Sequence, residues 1–347
     1  MSGDQNRRYF RPIPCDRMLP NAYRLAGTAV GFREIEVLAR NAAPQVLPAD
    51  AVLAMFPDAS RILAAFSDIR PAQAGLSMDR PRIMGIVNVT PDSFSDGGQL
   101  PSVAQAIDHA AALIEAGADI LDIGGESTRP GAEPVSEDTE ADRVLPVIAG
   151  LVESGISAPI SIDTRHASVA RQALAAGARM FNDVSALTHD PASMDAAKDA
   201  QSVCLMHAQG DPQTMQQNPA YDDVLLDVYD YLEYRVADCG MNGIGPEHLV
   251  IDPGIGFGKT IAHNLALIRG LALFHGLGCP VMLGASRKGF IGRLGGEPVA
   301  ARRAPGSIAA ALAGIRSGAQ ILRVHDVTET AQAVRVWQAI QNGETGA

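Results

Sequence analysis

The chain has 347 residues, of which 47% are hydrophobic, 19% charged and 5% aromatic. This balance excludes a disordered chain, and the scarcity of aromatic residues argues against a nucleic-acid binder that stacks bases. Lysine and arginine total 28 against 39 acidic residues, and the formal net charge of −11 excludes binding to DNA phosphates through a general positive field. An anionic substrate would therefore need a local cluster of positive groups.

The sequence carries no pattern typical of export or of membrane insertion. The N-terminus is charged and lacks an apolar segment, and no stretch reaches about 18 uninterrupted apolar residues. The cysteines are scattered without a CxxC pair, which indicates small buried thiols in a reduced compartment: Cys15, Cys204, Cys239 and Cys279. We therefore expect a cytoplasmic protein.

Residues 1–80 differ in texture from the rest of the chain. They contain scattered prolines, an alternating patch at 23–37 and an alanine-rich stretch at 49–66, and no motif among them carries chemistry. We predict that they form an N-terminal extension, either a small subdomain or a docking arm, and assign it no role. The remaining part, 81–347, is predicted to form the main domain.

From residue 82 onward, one pattern recurs eight times: a short apolar run, a polar or glycine-rich break, and an amphipathic segment. The apolar runs are 83–89, 119–125, 159–164, 180–184, 202–207, 248–254, 280–286 and 320–326. Helical spacing follows at 101–116, 136–154, 166–177, 190–200, 222–241, 263–275, 304–317 and 328–341. Several helices are predicted to end on left-handed glycines: Gly117, Gly177 and Gly318.

Strands that are apolar throughout and alternate with helices predict parallel βα units. Eight near-equal units favour an α/β fold of the (β/α)8 TIM-barrel type with an N-terminal extension. An open, doubly wound sheet is the alternative.

Each apolar run ends in side chains that are costly to bury. They are Asn88, Glu126, Asp163, Asn182, His207, Asp252, Ser286 with Lys288, and Arg323 with His325. Some of them could simply cap the helices that follow. In a barrel, however, these strand ends converge on one face, and their mixture of acid, amide and base chemistry there predicts an active site.

The residue types indicate what this face could bind. Acceptors at Asp163, Asn182 and Asp252 suit a heterocycle with several N–H donors. Arg323 and His325 are two residues apart, so a strand points both side chains to the same side, where they could bind an anion of the phosphate kind.

Three further features lie on or beside this face. The amide oxygen of Asn88 is a plausible Mg²⁺ ligand, and a structural role is favoured for His207. The loop TPDSFSDGG at 90–98 holds Asp92, Phe94 and Asp96 and is typical of a mobile lid. GIGFGKT at 254–260 falls short of a Walker A motif and of GxGxxG, which leaves a glycine-rich turn that a ligand could approach closely.

Taken together, these blocks resemble the dihydropteroate synthases of folate biosynthesis. The resemblance rests on MGIVNVTPDSFSDGG, DIGGESTRPGAEPVS, SIDTRHASV, FNDVSAL, CLMHAQGDPQTMQ, DPGIGFGKT, GASRKGFIG and ILRVHDV, in this order over 82–341. It implies a transferase that condenses 6-hydroxymethyl-7,8-dihydropterin diphosphate with p-aminobenzoate and releases pyrophosphate, with Mg²⁺ as cofactor. It also implies a catalytic, pterin-binding barrel at 81–347, a homodimer, and sulfonamides as competitors of p-aminobenzoate.

The resemblance also implies roles for individual residues. Asp163, Asn182, Asp252 and Lys288 would hold the pterin, and Asp252 would stabilise a cationic pterin methylene. Asn88 would ligate Mg²⁺, and Arg323 with His325 would bind the diphosphate beside the metal. The p-aminobenzoate pocket and its lid would comprise Phe94, Asp96, Thr128, Arg129, Pro130 and Ser286. Of all these, the catalytic group would be Asp96, Arg129, Asp252, Lys288, Arg323 and His325.

One departure from the family concerns Gly289, where many relatives carry Ser, Thr or Arg. A side-chain contact to the benzoate carboxylate is lost there, although backbone N–H groups at the start of the next helix could replace it. Two other functions share part of the pattern. A pterin-dependent methyltransferase would not need the SRK, RVH and lid blocks together, and a non-catalytic pterin-binding subunit would show damage at Asn88, Lys288, Arg323 or His325.

Overall fold

The computed structural model describes residues 7–16, 19–90, 102–127, 133–210 and 214–343. The N-terminal part is a small antiparallel sheet followed by two helices. The strands are β1 (Tyr9–Asp16), β2 (Tyr23–Arg24), β3 (Val30–Leu38) and β4 (Gln45–Pro48), and the helices are α1 (Ala49–Met55) and α2 (Ala59–Ser67). Strand β3 is central and pairs with the three others. Its alternating apolar residues pack against α2, with Phe32 meeting Phe66 edge to face.

The second part contains eight parallel strands. They are β5 (Arg82–Asn88), β6 (Ile120–Gly124), β7 (Ile160–Asp163), β8 (Met180–Asp183), β9 (Ser202–Met206), β10 (Leu249–Asp252), β11 (Met282–Leu283) and β12 (Ile321–Val324). The sheet runs β10-β9-β8-β7-β6-β5-β12-β11, and a parallel bridge between Ile251 and Val281 joins its two ends. This closure confirms the predicted barrel.

Helices connect the strands and cover the barrel from outside. They are α3 (Val103–Ala116), α4 (Glu137–Glu153), α5 (Ala167–Ala175), α6 (Ser193–Ala196), α7 (Val224–Met241), α8 (Ile261–Arg269), α9 (Gly289–Gly295), α10 (Ala304–Arg316) and α11 (Val327–Asn342). Side-chain caps fix several starts, such as the reciprocal bonds between Ser102 and Gln105. Gly117 ends α3 in the left-handed conformation, as predicted.

Some predicted segments are shorter than expected. The helix predicted at 190–200 is the four-residue α6 and a 3-10 turn, and the one predicted at 263–275 is split into α8 and a 3-10 segment at Leu271–Leu277. Helix α9 was not predicted, because its seven residues contain three glycines and give no clear period. At 190–200 and at 263–275, tertiary packing rather than the amphipathic pattern determines where the helix ends.

Two layers fill the inside of the barrel. The lower layer is apolar and is made of Met78, Met84, Ile120, Met180, Cys204, Val250, Met282 and Ile321. Because side chains alternate along a strand, the residues two positions further along point inward as well, nearer the carboxyl ends. On β6, β8, β10 and β12 these are Asp122, Asn182, Asp252 and Arg323. The polar layer therefore lies directly above an apolar floor.

The N-terminal part packs at the side and at the opposite end of the barrel. Arg40 pairs with Asp227 at 2.6 Å and with Asp230 at 2.7 Å on α7, and Arg7 binds Glu233 one turn further on. The stretch that follows α2 crosses beneath the barrel, where Ala74 N–H donates to the Ser202 hydroxyl at the start of β9. The extension therefore contacts the barrel away from the carboxyl ends of its strands.

None of the helices in the described part of the chain is long and apolar enough to cross a membrane. All four cysteines are free thiols, of which Cys204, Cys239 and Cys279 are buried. The expectation of burial is wrong for Cys15, which is only half-buried. This residue lies on β1 beside a groove between the extension and α11, so its surroundings are set by domain packing that composition does not reveal.

Candidate active site

The carboxyl ends of the strands bring the predicted acceptors and the predicted arginine into direct contact. Arg323 donates from Nη2 to Asp163 Oδ2 at 2.5 Å, across the barrel interior. Burial raises the pKa of Asp163, and the charge of Arg323 opposes that rise. Asn182, on the strand next to Asp163, is 3% exposed. These residues form a buried polar layer with charge of both signs.

Asp122 organises this layer, and the sequence interpretation missed it. Its carboxylate is fully buried and accepts from Arg323 Nε at 2.6 Å and from Asn182 Nδ2 at 3.2 Å. The polar residues that indicate the site lie at the ends of apolar runs, whereas Asp122 lies in the middle of one. An available signal was the two-residue period, since Asp122 follows the inward-pointing Ile120 and an acid inside an apolar strand requires a partner.

Asp252 lies at the end of β10 and is 2% exposed. Burial raises the pKa of its carboxyl, while the Gly254 N–H and the positive charges of Lys288 and Arg323 act in the opposite direction. The bond from Gly254 N–H to Oδ1 is 2.7 Å long. A buried carboxylate held in this way presents negative charge to whatever occupies the barrel mouth.

The glycines of the turn after β10 are required by the packing of the protein itself. Gly254 has a φ of +69°, and a Cβ there would lie 1.8 Å from the His207 carbonyl oxygen. A Cβ on Gly256, with a φ of +86°, would lie 2.9 Å from Lys288 Cδ. The turn thus lets β9 and the Lys288 side chain approach the backbone, in addition to any ligand that does so.

Phe257, within this turn, is a second residue that the sequence interpretation did not single out. The Lys288 ammonium lies 3.9 Å from the centre of its ring, which is a cation–π contact. Burial, together with the nearby charge of Arg323, lowers the pKa of Lys288 to about 7. Lys288 is therefore held between an aromatic ring and the polar layer.

His207 and Lys259 form a buried support beneath Phe257. Lys259 Nζ lies 3.0 Å from His207 Nδ1 and donates to the carbonyl oxygens of His207 and Phe257 at 3.2 and 2.9 Å. Burial lowers the pKa of Lys259 to about 7 and, together with the charge of Lys259, that of His207 to about 3. The structure agrees with the structural role favoured for His207.

Ser286 and His325 join the two loops that follow β11 and β12. The Ser286 hydroxyl accepts from the His325 N–H at 3.2 Å and lies 3.1 Å from its Nδ1. The loops are joined a second time by Arg287 and Asp326. The predicted anion-binding residues Arg323 and His325 are therefore adjacent to Ser286 and Lys288.

Asn88 ends β5 and is half-buried, in register with Gly124 of β6. Within the described residues there is no group of three or more His, Cys, Asp and Glu side chains that could hold a metal ion. A single neutral amide at the rim fits a metal that takes most of its ligands from elsewhere, as Mg²⁺ does when bound to phosphate and water. The donor set is thus compatible with the predicted cofactor.

Several predicted residues lie outside the described part of the chain: Asp92, Phe94, Asp96, Thr128, Arg129 and Pro130. Glu126, two residues before the second of these segments, lies in the described part of the chain. Glu126 is buried and accepts two bonds of 2.9 Å from Arg165, at its Nε and Nη2. Glu126 therefore joins the loops after β6 and β7 and does not act as a free acid.

A barrel with these acceptors at its mouth belongs to a known class, because residues 84–325 match the family model described as pterin binding enzyme. The dihydropteroate synthase of Neisseria meningitidis serogroup B is 51% identical over 277 residues, covering 77% of this chain and 96% of the relative. The Yersinia pestis enzyme with a sulfonamide drug has a TM-score of 0.73 and 44% identity, covering 77% of this chain and 96% of that one.

The Xanthomonas albilineans enzyme in complex with 7,8-dihydropteroate has a TM-score of 0.70 and 47% identity, covering 77% of this chain and 95% of that chain. The chain belongs to the dihydropteroate synthases, a family of transferases. The family model does not extend over the N-terminal sheet and its helices.

Proposed function

We infer that the carboxyl face of the barrel performs the dihydropteroate synthase reaction, the condensation of 6-hydroxymethyl-7,8-dihydropterin diphosphate with p-aminobenzoate. The observation that carries this assignment is a polar layer above an apolar floor, in which Asp122, Asn182 and Asp252 are buried and the Asp163 side chain is 11% exposed. Such a layer presents acceptors at fixed depth to a flat heterocycle with several N–H donors. The 7,8-dihydropteroate bound by the Xanthomonas albilineans relative contains this heterocycle.

The contacts within the layer orient its acceptors. Asn182 donates from Nδ2 to Asp122, so its amide oxygen is left to accept from a pterin N–H. Arg323 holds Asp163 in place through a charge-assisted bond. Asp252 is fixed by the Gly254 N–H and supplies negative charge on the side that Lys288 faces. We assign Lys288 to the pterin and Phe257 to the neighbouring p-aminobenzoate ring.

In the reaction, the bond from the pterin methylene carbon to the diphosphate oxygen breaks, and a bond from that carbon to the aniline nitrogen forms. The diphosphate leaves with the electron pair of the broken bond, and the nitrogen loses a proton to solvent. The buried charge of Asp252 stabilises the positive charge that develops on the pterin. The aniline is neutral at pH 7, so no general base is assigned.

The leaving group is a polyanion, and its charge is taken up at the ends of β5 and β12. His325 and Arg323 contribute from this chain, and Arg323 is already shared with Asp122 and Asp163. Mg²⁺ held by Asn88 would neutralise further diphosphate charge. Arg129 and the lid residues Phe94 and Asp96 retain their predicted role, which is to cover the reacting carbon and exclude water.

Pyrophosphate release, measured with the pterin diphosphate and Mg²⁺, tests the function. Release should require p-aminobenzoate and should disappear in Asn182→Ala and Lys288→Ala. The control variant Arg293→Ala, which changes an exposed residue of α9, should retain release. Tight pterin binding without release would contradict the assignment, and methyl transfer would be assayed next. A sulfonamide should raise the KM for p-aminobenzoate without changing kcat, because both occupy the pocket beside Phe257.

Three further proposals concern the whole molecule. We assign the chemistry to residues 81–347 and no chemistry to 1–80. The exposed faces of α10 and α11 are apolar at Ala309, Ala313, Val336 and Ile340, which supports a homodimer through them and is tested by light scattering. The free thiols support a reducing compartment, the cytoplasm.

A further inference from the structure

Four of the residues assigned to substrate lie on two loops that are far apart in sequence. Ser286 and Lys288 follow β11, whereas Arg323 and His325 lie at and just after the end of β12. The Ser286–His325 contact joins these loops by single hydrogen bonds. A second connection, through Arg287 and Asp326, involves two side chains to which neither the sequence nor the family comparison has given a role.

Arg287 has a left-handed backbone, with a φ of +56°, which is unfavourable for a residue with a Cβ. Its N–H donates to the Ser307 hydroxyl at 2.9 Å, and its carbonyl oxygen accepts from Arg303 Nη1 at 3.0 Å. This turn sends Lys288 back toward Phe257. Because glycine would adopt such a backbone without strain, the presence of arginine indicates that the side chain is needed.

The Arg287 side chain forms a two-point ion pair with Asp326. Nε donates to Oδ2 at 3.1 Å, and Nη2 donates to Oδ1. The Asp326 side chain is 8% exposed and the Arg287 side chain 30%, so water is kept from the carboxylate and reaches the pair only from the guanidinium side. Asp326 also occupies the N-cap position of α11, where an aspartate usually accepts from the helix N–H groups, yet its side chain makes no such bond. Its carboxylate is used to hold Arg287.

We propose that the Arg287–Asp326 pair is a positioning device that sets the distance between Lys288 and the anion-binding residues Arg323 and His325. It rests on the proposed function, in which one molecule contacts Lys288 through its pterin and His325 through its diphosphate. The two loops can move apart only if the pair breaks, since it is their one connection with two parallel charged bonds among the described contacts. Neither Arg287 nor Asp326 needs to touch the substrate.

Three variants separate the side chain from the backbone. Arg287→Gly keeps the left-handed turn and removes the ion pair. Arg287→Lys keeps the positive charge and loses the two-point geometry. Asp326→Asn keeps the shape of the side chain and removes its negative charge. We expect each to raise the KM for the pterin diphosphate and the inhibition constant of Mg²⁺-pyrophosphate about 10-fold or more. The KM for p-aminobenzoate should change less than threefold. Arg293→Ala is the matched control and should change none of these values.

The double variant Arg287→Gly with Asp326→Asn should be no worse than the single variants, because both remove the same contact. Folded variants with wild-type constants, or losses that multiply in the double variant, would overturn the proposal. Equal losses for both substrates would show a merely structural role. If Arg287→Gly does not fold, Arg287→Lys and Asp326→Asn decide the question.

Calorimetric binding of Mg²⁺-pyrophosphate separates this proposal from the proposed function. If the wild-type chain binds pyrophosphate but forms no dihydropteroate, the proposed function is wrong, whereas a 10-fold weaker affinity in Asp326→Asn would still support the positioning role. If the reaction proceeds and Asp326→Asn binds pyrophosphate as the wild type does, the positioning role is wrong and the function stands.

Discussion

Replacing Asp122 by asparagine tests whether the carboxylate at the centre of the polar layer organises the pterin site. The carboxylate accepts from Arg323 at 2.6 Å and from Asn182 at 3.2 Å, in the fully buried centre of the polar layer. Asparagine has the same shape but only one acceptor oxygen and no charge. Both donors bind the same oxygen, Oδ2, so an asparagine with its carbonyl oxygen there accepts from both without the charge, and its NH2 group then faces Asn182 Nδ2, which lies 3.4 Å from Oδ1.

The expected loss of kcat/KM depends on the contacts that Arg323 keeps in the variant. Arg323 keeps its bond to Asp163, so its charge is not left unpaired, and the loss is smaller than for a fully broken buried pair. A bond to a charged group contributes about 1.5–3 kcal/mol. At about 1.4 kcal/mol per factor of ten, kcat/KM for the pterin diphosphate should fall about 10- to 100-fold. The KM for p-aminobenzoate should stay within about threefold, because we assign its pocket to Phe257, outside the polar layer.

Asp119 offers a matched control on the same chain segment. It immediately precedes β6 and pairs with Arg80 at 2.6 Å and with Arg82 at 3.2 Å, at the opposite end of the barrel. Asp119→Asn should lower the melting temperature without weakening pterin binding. Steady-state kinetics, calorimetric binding of the pterin diphosphate and thermal melts are compared for both variants. A folded Asp122→Asn protein with wild-type pterin affinity would refute the reasoning, as would equal losses in both variants.

Three other expectations follow from the structure. Burial lowers the pKa of Lys288 to about 7, and an anionic substrate favours its charged form. The Kd of the pterin diphosphate, measured by calorimetry, should therefore be constant below pH 7 and rise above it. In Lys288→Arg the Kd should stay constant up to about pH 9. Gly289→Ser should leave turnover intact, since a Cβ there has no neighbour within 4 Å, and a large change in kcat would show that the benzoate carboxylate lies elsewhere. Arg40→Ala should lower the melting temperature by about 1–3 °C and leave kcat unchanged, because its partners lie on the outer helix α7; a loss of kcat would give the extension a catalytic role.

Much of the fold could be predicted because each element carries its own pattern. Eight apolar runs separated by helical segments indicate parallel strands buried on both faces, and their number favours closure, which the bridge between Ile251 and Val281 establishes. Where the pattern is weak, the element is not predicted, or the predicted segment is longer than the observed one. The two-residue β11 and the glycine-rich α9 are held by their neighbours, and the alanine-rich segment at 190–200 yields only a four-residue helix.

The fold class and, through the resemblance, the reaction can be predicted from the amino-acid sequence alone. The polar strand ends also predict the face that bears the site, because they are a local property of the chain. The contacts that these side chains make with one another follow from the three-dimensional fold. Arg323 lies 201 residues from Asp122, and Lys288 meets the ring of Phe257 from another loop. Such pairs depend on which strands face each other around a closed barrel, and no local pattern contains that information. The same reason applies to the extension, whose arginines acquire a role only where folding places them against α7.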